Sequence, residues 1–344
     1  MVPLLETPLL ETVALTKHFP QPGSLLRRLR GQEQPLVAVE DVSLSIQRGE
    51  TLGLVGESGS GKSTFGRLLL QLEKPTSGDI LFEGRSVLGR GERSARELRK
   101  RIQVIFQDPY SSLNPTMTVR QMLEEVLHVH AIVPKEARAA RVADLLERVG
   151  LAPEFAGRRP HQFSGGQRQR IGIARALAVE PEFIVADEAV SALDVSVQAQ
   201  VLNLMMRLQE ELGLTYLFIS HNLTVMRHIS EHVAVMYLGR IVEQSPTETL
   251  FAEPLHPYTQ ALLKAAPKPT PRRRAITPAV SGDIPSPIDR PSGCHFHPRC
   301  KFVMDVCRVE YPAARRVGAA VVACHLYEPT EHGLPPKPTG TTRP

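Results

Sequence analysis

The sequence predicts an α/β fold, and three observations carry that prediction. Strand-like apolar runs alternate with helix-period segments along most of the chain. A glycine-rich loop stands where one such strand gives way to a helix. The 344 residues, 42% hydrophobic and 22% charged, are enough to bury one large core with an appendage, or two modest domains.

The elements follow in order. "TVALTKHF" and "LVAVEDVSLSI" read as strands, and "ETLGLV" as a short apolar strand leading into "VGESGSGKST" at 55–64. "STFGRLLLQLE" then places Phe65, Leu68, Leu69 and Leu72 on one helical face. "GDILFEG" and "RIQVIF" are strands. "VRQMLEEVLHVH" and "KEARAARVADLLERVG" have helical spacing, so the stretch from about 110 to 165 reads as a helical insert between two sheet strands. "FIVADE", "LTYLFIS" and "EHVAVMYLGRIVE" are further strands, with "VQAQVLNLMMRLQEEL" a helix among them. Seven prolines between Pro267 and Pro291 then mark an extended linker, and "GLPPKPTGTTRP" reads as a disordered tail.

Composition excludes several classes. No run approaches the apolar length that crosses a bilayer, and Glu6 and Glu11 interrupt the N-terminal segment, so a cytosolic chain without a secretion signal is expected. The net charge of +5 is mild. Basic clusters at 25–30 and 271–274 read as solvated loops, and the chain lacks tryptophan and any aromatic-and-basic nucleic-acid platform.

The glycine loop carries the first chemistry. Gly56, Gly59 and Gly61 let backbone N–H groups turn inward, and the following helix start adds its dipole, which together make an anion cradle. Lys62 supplies a charge for outer phosphates, and the Ser63 hydroxyl is placed for Mg²⁺. This is a P-loop. "FIVADE" ends in Asp187, suited to hold Mg²⁺ through a water, and Glu188, suited to take a proton from an attacking water. In "QFSGGQRQR", Ser164 can cap a helix whose first N–H groups Gly165 and Gly166 leave accessible, a second phosphate-binding helix start. Gln107 and His221 each lie just beyond a strand.

In this order the motifs resemble the nucleotide-binding subunit of an ATP-binding-cassette (ABC) transporter, over residues 11–265. The resemblance implies a P-loop cassette with an antiparallel β subdomain, a helical subdomain and a small C-terminal cysteine-rich module. It implies that Phe19 stacks on adenine and that Gly56, Ser58, Gly59, Ser60, Gly61, Lys62, Ser63 and Thr64 form the Walker A site. Gln107 becomes the Q-loop glutamine, joining Ser63 and Asp187 at Mg²⁺, with Glu188 and His221 the catalytic base and switch histidine. Ser164, Gly165, Gly166 and Gln167 are the signature, serving ATP held by a partner chain; Ser191, Ala192, Leu193 and Asp194 form the dimer-contacting D-loop. Phe163 replaces the commoner signature leucine, and Ala189 stands where relatives carry proline.

Finer features, "VIFQDPYSSLNP", "HPYTQALL" and "GCHFHPRCKFVMDVC", resemble the oligopeptide/dipeptide importer branch, which includes nickel and sugar importers. The resemblance implies peptide uptake at the cytoplasmic face of the membrane, by a peripheral subunit. Its implied partners are a second cassette subunit (a heterodimer, with a homodimer as runner-up), two permeases and, indirectly, a substrate-binding protein. A soluble ABC ATPase acting on DNA or ribosomes is disfavoured, since Lys62 to Asp187 leaves no room for a long coiled coil. The expected divisions are 11–265 for the cassette, 266–290 for the linker, 291–330 for the cysteine module and 331–344 for the tail.

The first 293 residues contain no cysteine; Cys294, Cys300, Cys307 and Cys324 follow. A reducing compartment disfavours disulfides. Gaps of five, six and sixteen residues exceed those of zinc knuckles, and four thiolates suit a [4Fe–4S] cluster, with which the resembled branch is associated; Zn²⁺ is the alternative. His295, His297 and His325 read as hydrogen-bonding or surface residues rather than ligands.

Overall fold

A computed structural model describes residues 7–20, 35–108, 112–265 and 285–328. The chain opens with β1 (Leu10–Phe19), β2 (Leu36–Ile46), β3 (Thr51–Val55) and α1 (Lys62–Leu69). Next come β4 (Ser77–Phe82), β5 (Arg85–Ser86), α2 (Glu92–Arg101) and β6 (Ile102–Ile105). A helical stretch of α3 (Val119–Val129), α4 (Arg138–Arg148) and α5 (Gly165–Leu177) precedes β7 (Phe183–Asp187). The alternation resumes with α6 (Val195–Leu212), β8 (Thr215–Ser220), α7 (Leu223–Ile229), β9 (His232–Tyr237) and β10 (Arg240–Pro246). Two helices, α8 (Thr247–Ala252) and α9 (Pro257–Ala265), follow. The C-terminal segment holds α10 (Val306–Val309), β11 (Ala314–Val317) and β12 (Ala320–Ala323).

Two sheets result. The smaller has the order β2-β1-β4-β5 and is antiparallel throughout, as expected. The larger has eight strands in the order β11-β12-β10-β9-β3-β8-β7-β6, parallel from β9 to β6. A parallel strand covered on both faces must be apolar on both, and all five residues of β3 are buried. Alternation then sorts the side chains. Leu52, Leu54, Val185, Leu217 and Ile219 pack with Phe65, Leu68 and Leu69 of α1 and with the smaller sheet. Ile184, Tyr216, Phe218, Val233 and Val235 face the other way, into the core shared with α3 to α7. The P-loop helix is therefore wedged between two sheets.

The helical insert forms because its helices are capped and striped. Thr118 and Ser164 each close a capping box, with Gln121 and Gln167 at the start of α3 and α5. Val142, Leu145 and Leu146 of α4 meet Leu123 and Leu127 of α3 in the large core.

Three expectations change. Leu72 does not extend the face of α1: the helix ends at Leu69, Gln71 turns into the left-handed region at φ 54°, and Leu72 is exposed. "EHVAVMYLGRIVE" is a hairpin, turning at Leu238 and Gly239, both with positive φ. The cysteine segment is not a separate module. Its strand β12 pairs with β10 and carries β11, so the segment extends the main sheet. Phe296 is buried in the large core, 5.3 Å from the ring of Tyr237 and 5.4 Å from that of Tyr258. A segment this short has too little interior of its own, and it covers an edge strand that would otherwise be open. The basic clusters at 25–30 and 271–274, most of the proline-rich linker and the tail lie outside the described residues.

Phe296→Ala should cost about 3–5 kcal/mol, the usual penalty for emptying a buried aromatic site. Urea unfolding followed by circular dichroism should show the main transition itself moving to lower denaturant. An independently folded cysteine segment would leave that transition in place.

Candidate functional site

Register decides where the chemistry gathers. Val55 of β3 pairs with Ser220 of β8, and Ile219 of β8 with Asp187 of β7. Ala186 of β7 pairs with Ile105 of β6. Four neighbouring parallel strands thus end at one edge, and the next one or two residues are Gly56, His221, Glu188 and Gln107. Ligand sites of parallel sheets lie at such C-terminal edges.

The P-loop wraps tightly. Gly61 caps α1 with φ 104°, and a Cβ there would stand 2.1 Å from the Ala38 carbonyl oxygen. Gly59 also has positive φ, 78°, but open space around it. Inside the loop, Lys62 donates from Nζ to the carbonyls of Gly56 (2.8 Å) and Glu57 (2.9 Å) and to Ser60 Oγ (3.2 Å). Burial lowers the pKa of this ammonium, while Glu188, Asp187 and Glu57 act against the shift. A buried cation facing carboxylates at a helix start is suited to a polyanion. Ser60 is buried, Ser58 exposed, and Ser63 and Thr64 half-buried on the first turn of α1.

The carboxylates meet the loop directly. Ser63 Oγ donates to Asp187 Oδ1 at 3.1 Å across 124 positions of sequence. Burial raises the pKa of Asp187, and the Ser63 hydrogen bond offsets part of the rise. A hydroxyl beside a carboxylate is a hard-oxygen pair of the kind Mg²⁺ takes, so the donors fit that ion. Glu188 has both oxygens engaged: Gln107 Nε2 donates to Oε2 at 2.7 Å, and His221 Nδ1 lies 3.2 Å from Oε1. Its own φ is 48°, a left-handed conformation rare for a residue with a side chain. That backbone is fastened on both sides. Its N–H donates to the Ile219 carbonyl, and its carbonyl accepts from the N–H and Oγ of Ser191. Ala189, in the position where proline was expected, is buried, and Ser191 supplies the loop's anchoring.

A second group forms elsewhere. Ser164 Oγ accepts from the Gln167 N–H, and Gln167 Oε1 from the Ser164 N–H, which closes the start of α5. A Cβ on Gly166 would stand 2.4 Å from Val197 Cγ1, and one on Gly165 3.5 Å from Leu193 Cδ2. The signature-like turn is therefore in contact with the segment of Ser191, Ala192, Leu193 and Asp194, where Asp194 precedes α6. Phe163 is buried in the large core. Phe19 ends β1, with Lys17 Nζ 4.7 Å above its ring.

Sequence reasoning missed what stands behind the P-loop. The Glu57 N–H donates to the Tyr258 hydroxyl at 2.8 Å, and Arg299 grips the Glu57 carboxylate with two hydrogen bonds, 2.7 and 3.0 Å. Both partners lie more than 200 positions away. No local pattern marks them.

The four cysteines converge on one small cavity, shared with Phe296, His297 and His325. Burial pushes the Cys294 thiol up to about 11 and Cys324 to about 12, and raises Cys300 as well. His297 and His325 bond backbone carbonyls, as expected, whereas His295 is buried rather than superficial. The cavity measures about 10 Å³, room for one water. Among the described residues, no group of three or more His, Cys, Asp or Glu is placed to hold a metal ion. The expected cluster finds a suitable set of thiols but not the space.

Comparison with known proteins matches residues 39–191 to the ABC transporter family and 242–307 to the oligopeptide/dipeptide transporter C-terminal region. A probable peptide ABC transporter ATP-binding protein of Sinorhizobium fredii is 52% identical, over 93% of this chain and 90% of its own. An oligopeptide transport ATP-binding protein of Bacillus subtilis is 50% identical, over 93% and 97%. A dipeptide transport ATP-binding protein of Haemophilus influenzae is 47% identical, over 92% and 96%. Among solved structures, cbiO1 of Clostridium perfringens, part of the ABC transporter complex cbiONQ, superposes with TM-score 0.62 at 27% identity, over 72% of this chain and 92% of that one. A dimeric ATP-binding cassette bound to ADP and Pi gives TM-score 0.60 at 29% identity, over 69% and 98%.

Gly61→Ala combines a left-handed φ with a backbone collision, so it should weaken ATP binding by about tenfold or more. Gly59→Ala meets only the φ penalty, about 1 kcal/mol, and should bind more tightly than Gly61→Ala. Titration with a fluorescent ATP analogue ranks the two; the reverse order would contradict the geometry.

Proposed function

The chain belongs to the ABC transporter family of ATP-binding proteins, and from that premise we propose that it energises a membrane importer of di- or oligopeptides. It is an ATPase. The observation that carries the peptide reading is identity near 50% along almost the full length of peptide-transport relatives, extending through the C-terminal region.

Hydrolysis of ATP is positioning and charge stabilisation more than covalent work. The backbone N–H groups of Gly59 to Lys62 and the Lys62 ammonium hold the phosphates, and Phe19 takes the adenine. Ser63 and Asp187, with Gln107, hold Mg²⁺, which supplies positive charge to the phosphate oxygens. Glu188 orients the attacking water and accepts its proton. Gln107 and His221, which hydrogen-bond that same carboxylate, set its orientation and respond to the outer phosphate. Ser164, Gly165, Gly166 and Gln167 serve the ATP of a second cassette, and the D-loop residues Ser191, Ala192, Leu193 and Asp194 contact it. What supports this pairing is the dimeric cassette it resembles, together with the second capped glycine turn at the start of α5.

The partner is a second, similar cassette subunit, and the pair docks on two permeases at the cytoplasmic face. No helix among the described residues is long and apolar enough to cross a membrane, which agrees with a peripheral subunit. Residues 11–265 form the ATP-binding unit, with 291–330 built onto its sheet. A [4Fe–4S] cluster at the four cysteines, or Zn²⁺ as the alternative, requires the small cavity they line to widen, since no metal-holding group is placed among the described residues. Anaerobically purified protein should then be brown, with about four iron per chain. Colourless, iron-free protein would rule the cluster out.

Glu188→Gln in the assembled importer should keep ATP affinity, lower turnover by about two orders of magnitude or more, and stop uptake of a labelled dipeptide. Near-normal turnover would remove Glu188 as the base. Normal turnover in the native complex with uptake of neither a labelled dipeptide nor a labelled oligopeptide would remove the peptide reading.

A further inference from the structure

Residue 57 is the one position in the P-loop with a long charged side chain pointing away from the phosphate side. Its backbone carbonyl accepts from Lys62 Nζ and from the Ser60 N–H, so moving residue 57 moves the lysine's anchor. Its N–H is held by the Tyr258 hydroxyl. Its carboxylate is held by Arg299 through a paired contact, Nη1 to Oε2 at 2.7 Å and Nη2 to Oε1 at 3.0 Å. The Arg299 side chain is only 5% exposed and Glu57 23%. Nη1 also reaches the Tyr237 hydroxyl at 3.4 Å. Arg299 closes the short turn His297–Arg299, immediately before Cys300, and this turn is pinned by the Arg299 N–H to the Phe296 carbonyl.

A buried ion pair adds little net stability compared with an apolar pair of similar size, but a guanidinium held at both nitrogens fixes direction as well as distance. Here the direction fixed is that of a loop that must present its N–H groups inward. The pair also cancels a carboxylate that would otherwise repel a polyphosphate.

We propose that Arg299 is a positioning residue of the P-loop, through which the C-terminal cysteine segment sets the affinity of the site for ATP. The proposal rests on the P-loop being the ATP site. It makes the segment a tuning element: any ligand or oxidation that shifts the turn before Cys300 is transmitted to Glu57, then to Lys62.

The test measures ATP binding by the full chain, and KM and kcat in the assembled complex. Arg299→Ala should raise Kd and KM for ATP about tenfold, with kcat at saturating ATP within about twofold of the parent. Arg299→Lys, which keeps the charge but loses the paired contact, should fall between. The double variant Arg299→Ala/Glu57→Gln should bind ATP more tightly than Arg299→Ala alone, because the unpaired carboxylate is gone; a merely structural loss would not be recovered in this way. If Arg299→Ala does not fold, the Arg299→Lys measurement and the double variant decide. Parent-like affinity in Arg299→Ala or Arg299→Lys, or no recovery in the double variant, overturns the proposal. Failure of the parent chain itself to bind ATP would instead overturn the reading of the site.

Discussion

The common register of β3, β8, β7 and β6 is the constraint on which the remaining structure depends. Each strand supplies its chemistry one or two residues after its last ladder position, so a shift of one strand would remove one reactant from the site. That register is enforced by burial on both faces. A one-residue slip would exchange Leu52 and Leu54, which face α1, with Gly53 and Val55, which face α7 and the helical core. The cost of misplacing those side chains is what fixes Ser63 against Asp187 and Gln107 against Glu188.

Much of this was legible because each motif is local. The strand–glycine loop–helix, the strand ending in two carboxylates and the capped glycine turn each contain their own physical reason. What escaped is what depends on distant packing. Leu72 had the right spacing for α1, yet the chain had already turned at Gln71. The proline-rich stretch and clustered cysteines suggested a separate module, but β10 had an edge to offer and the segment had too few apolar residues to ignore it. Tyr258 and Arg299 lie within "HPYTQALL" and "GCHFHPRCKFVMDVC", yet nothing there points to the P-loop, since a tyrosine and an arginine become its supports only once the sheet has been built.

Two glycine-bearing helix starts, those of α1 and α5, meet different neighbours within the chain. The start of α1 is joined by hydrogen bonds to the carboxylate group. The start of α5 lies against Leu193 of the D-loop segment and Val197 of α6. Ser63–Asp187 holds the first and the Ser164–Gln167 capping box the second, and the D-loop joins them, with Ser191 bonded to the Glu188 carbonyl and Leu193 against Gly165.

Charge placement completes the argument. Lys62 is buried with Asp187, Glu188 and Glu57 as the acidic groups acting on it. Asp187 and Glu188 stand at the C-terminal edge of the parallel strands, hydrogen-bonded to Ser63, Gln107 and His221. Glu57 is different: its carboxylate faces the protein, and Arg299 already neutralises it. The site thus groups two carboxylates at the strand edge and pairs the third with a cation from behind. Without that cation, the same loop would offer a polyphosphate its N–H groups and an uncompensated negative charge at once. The backbone of Glu188 is left-handed yet bonded at both its N–H and its carbonyl, so its carboxylate is held where the chain would not otherwise rest.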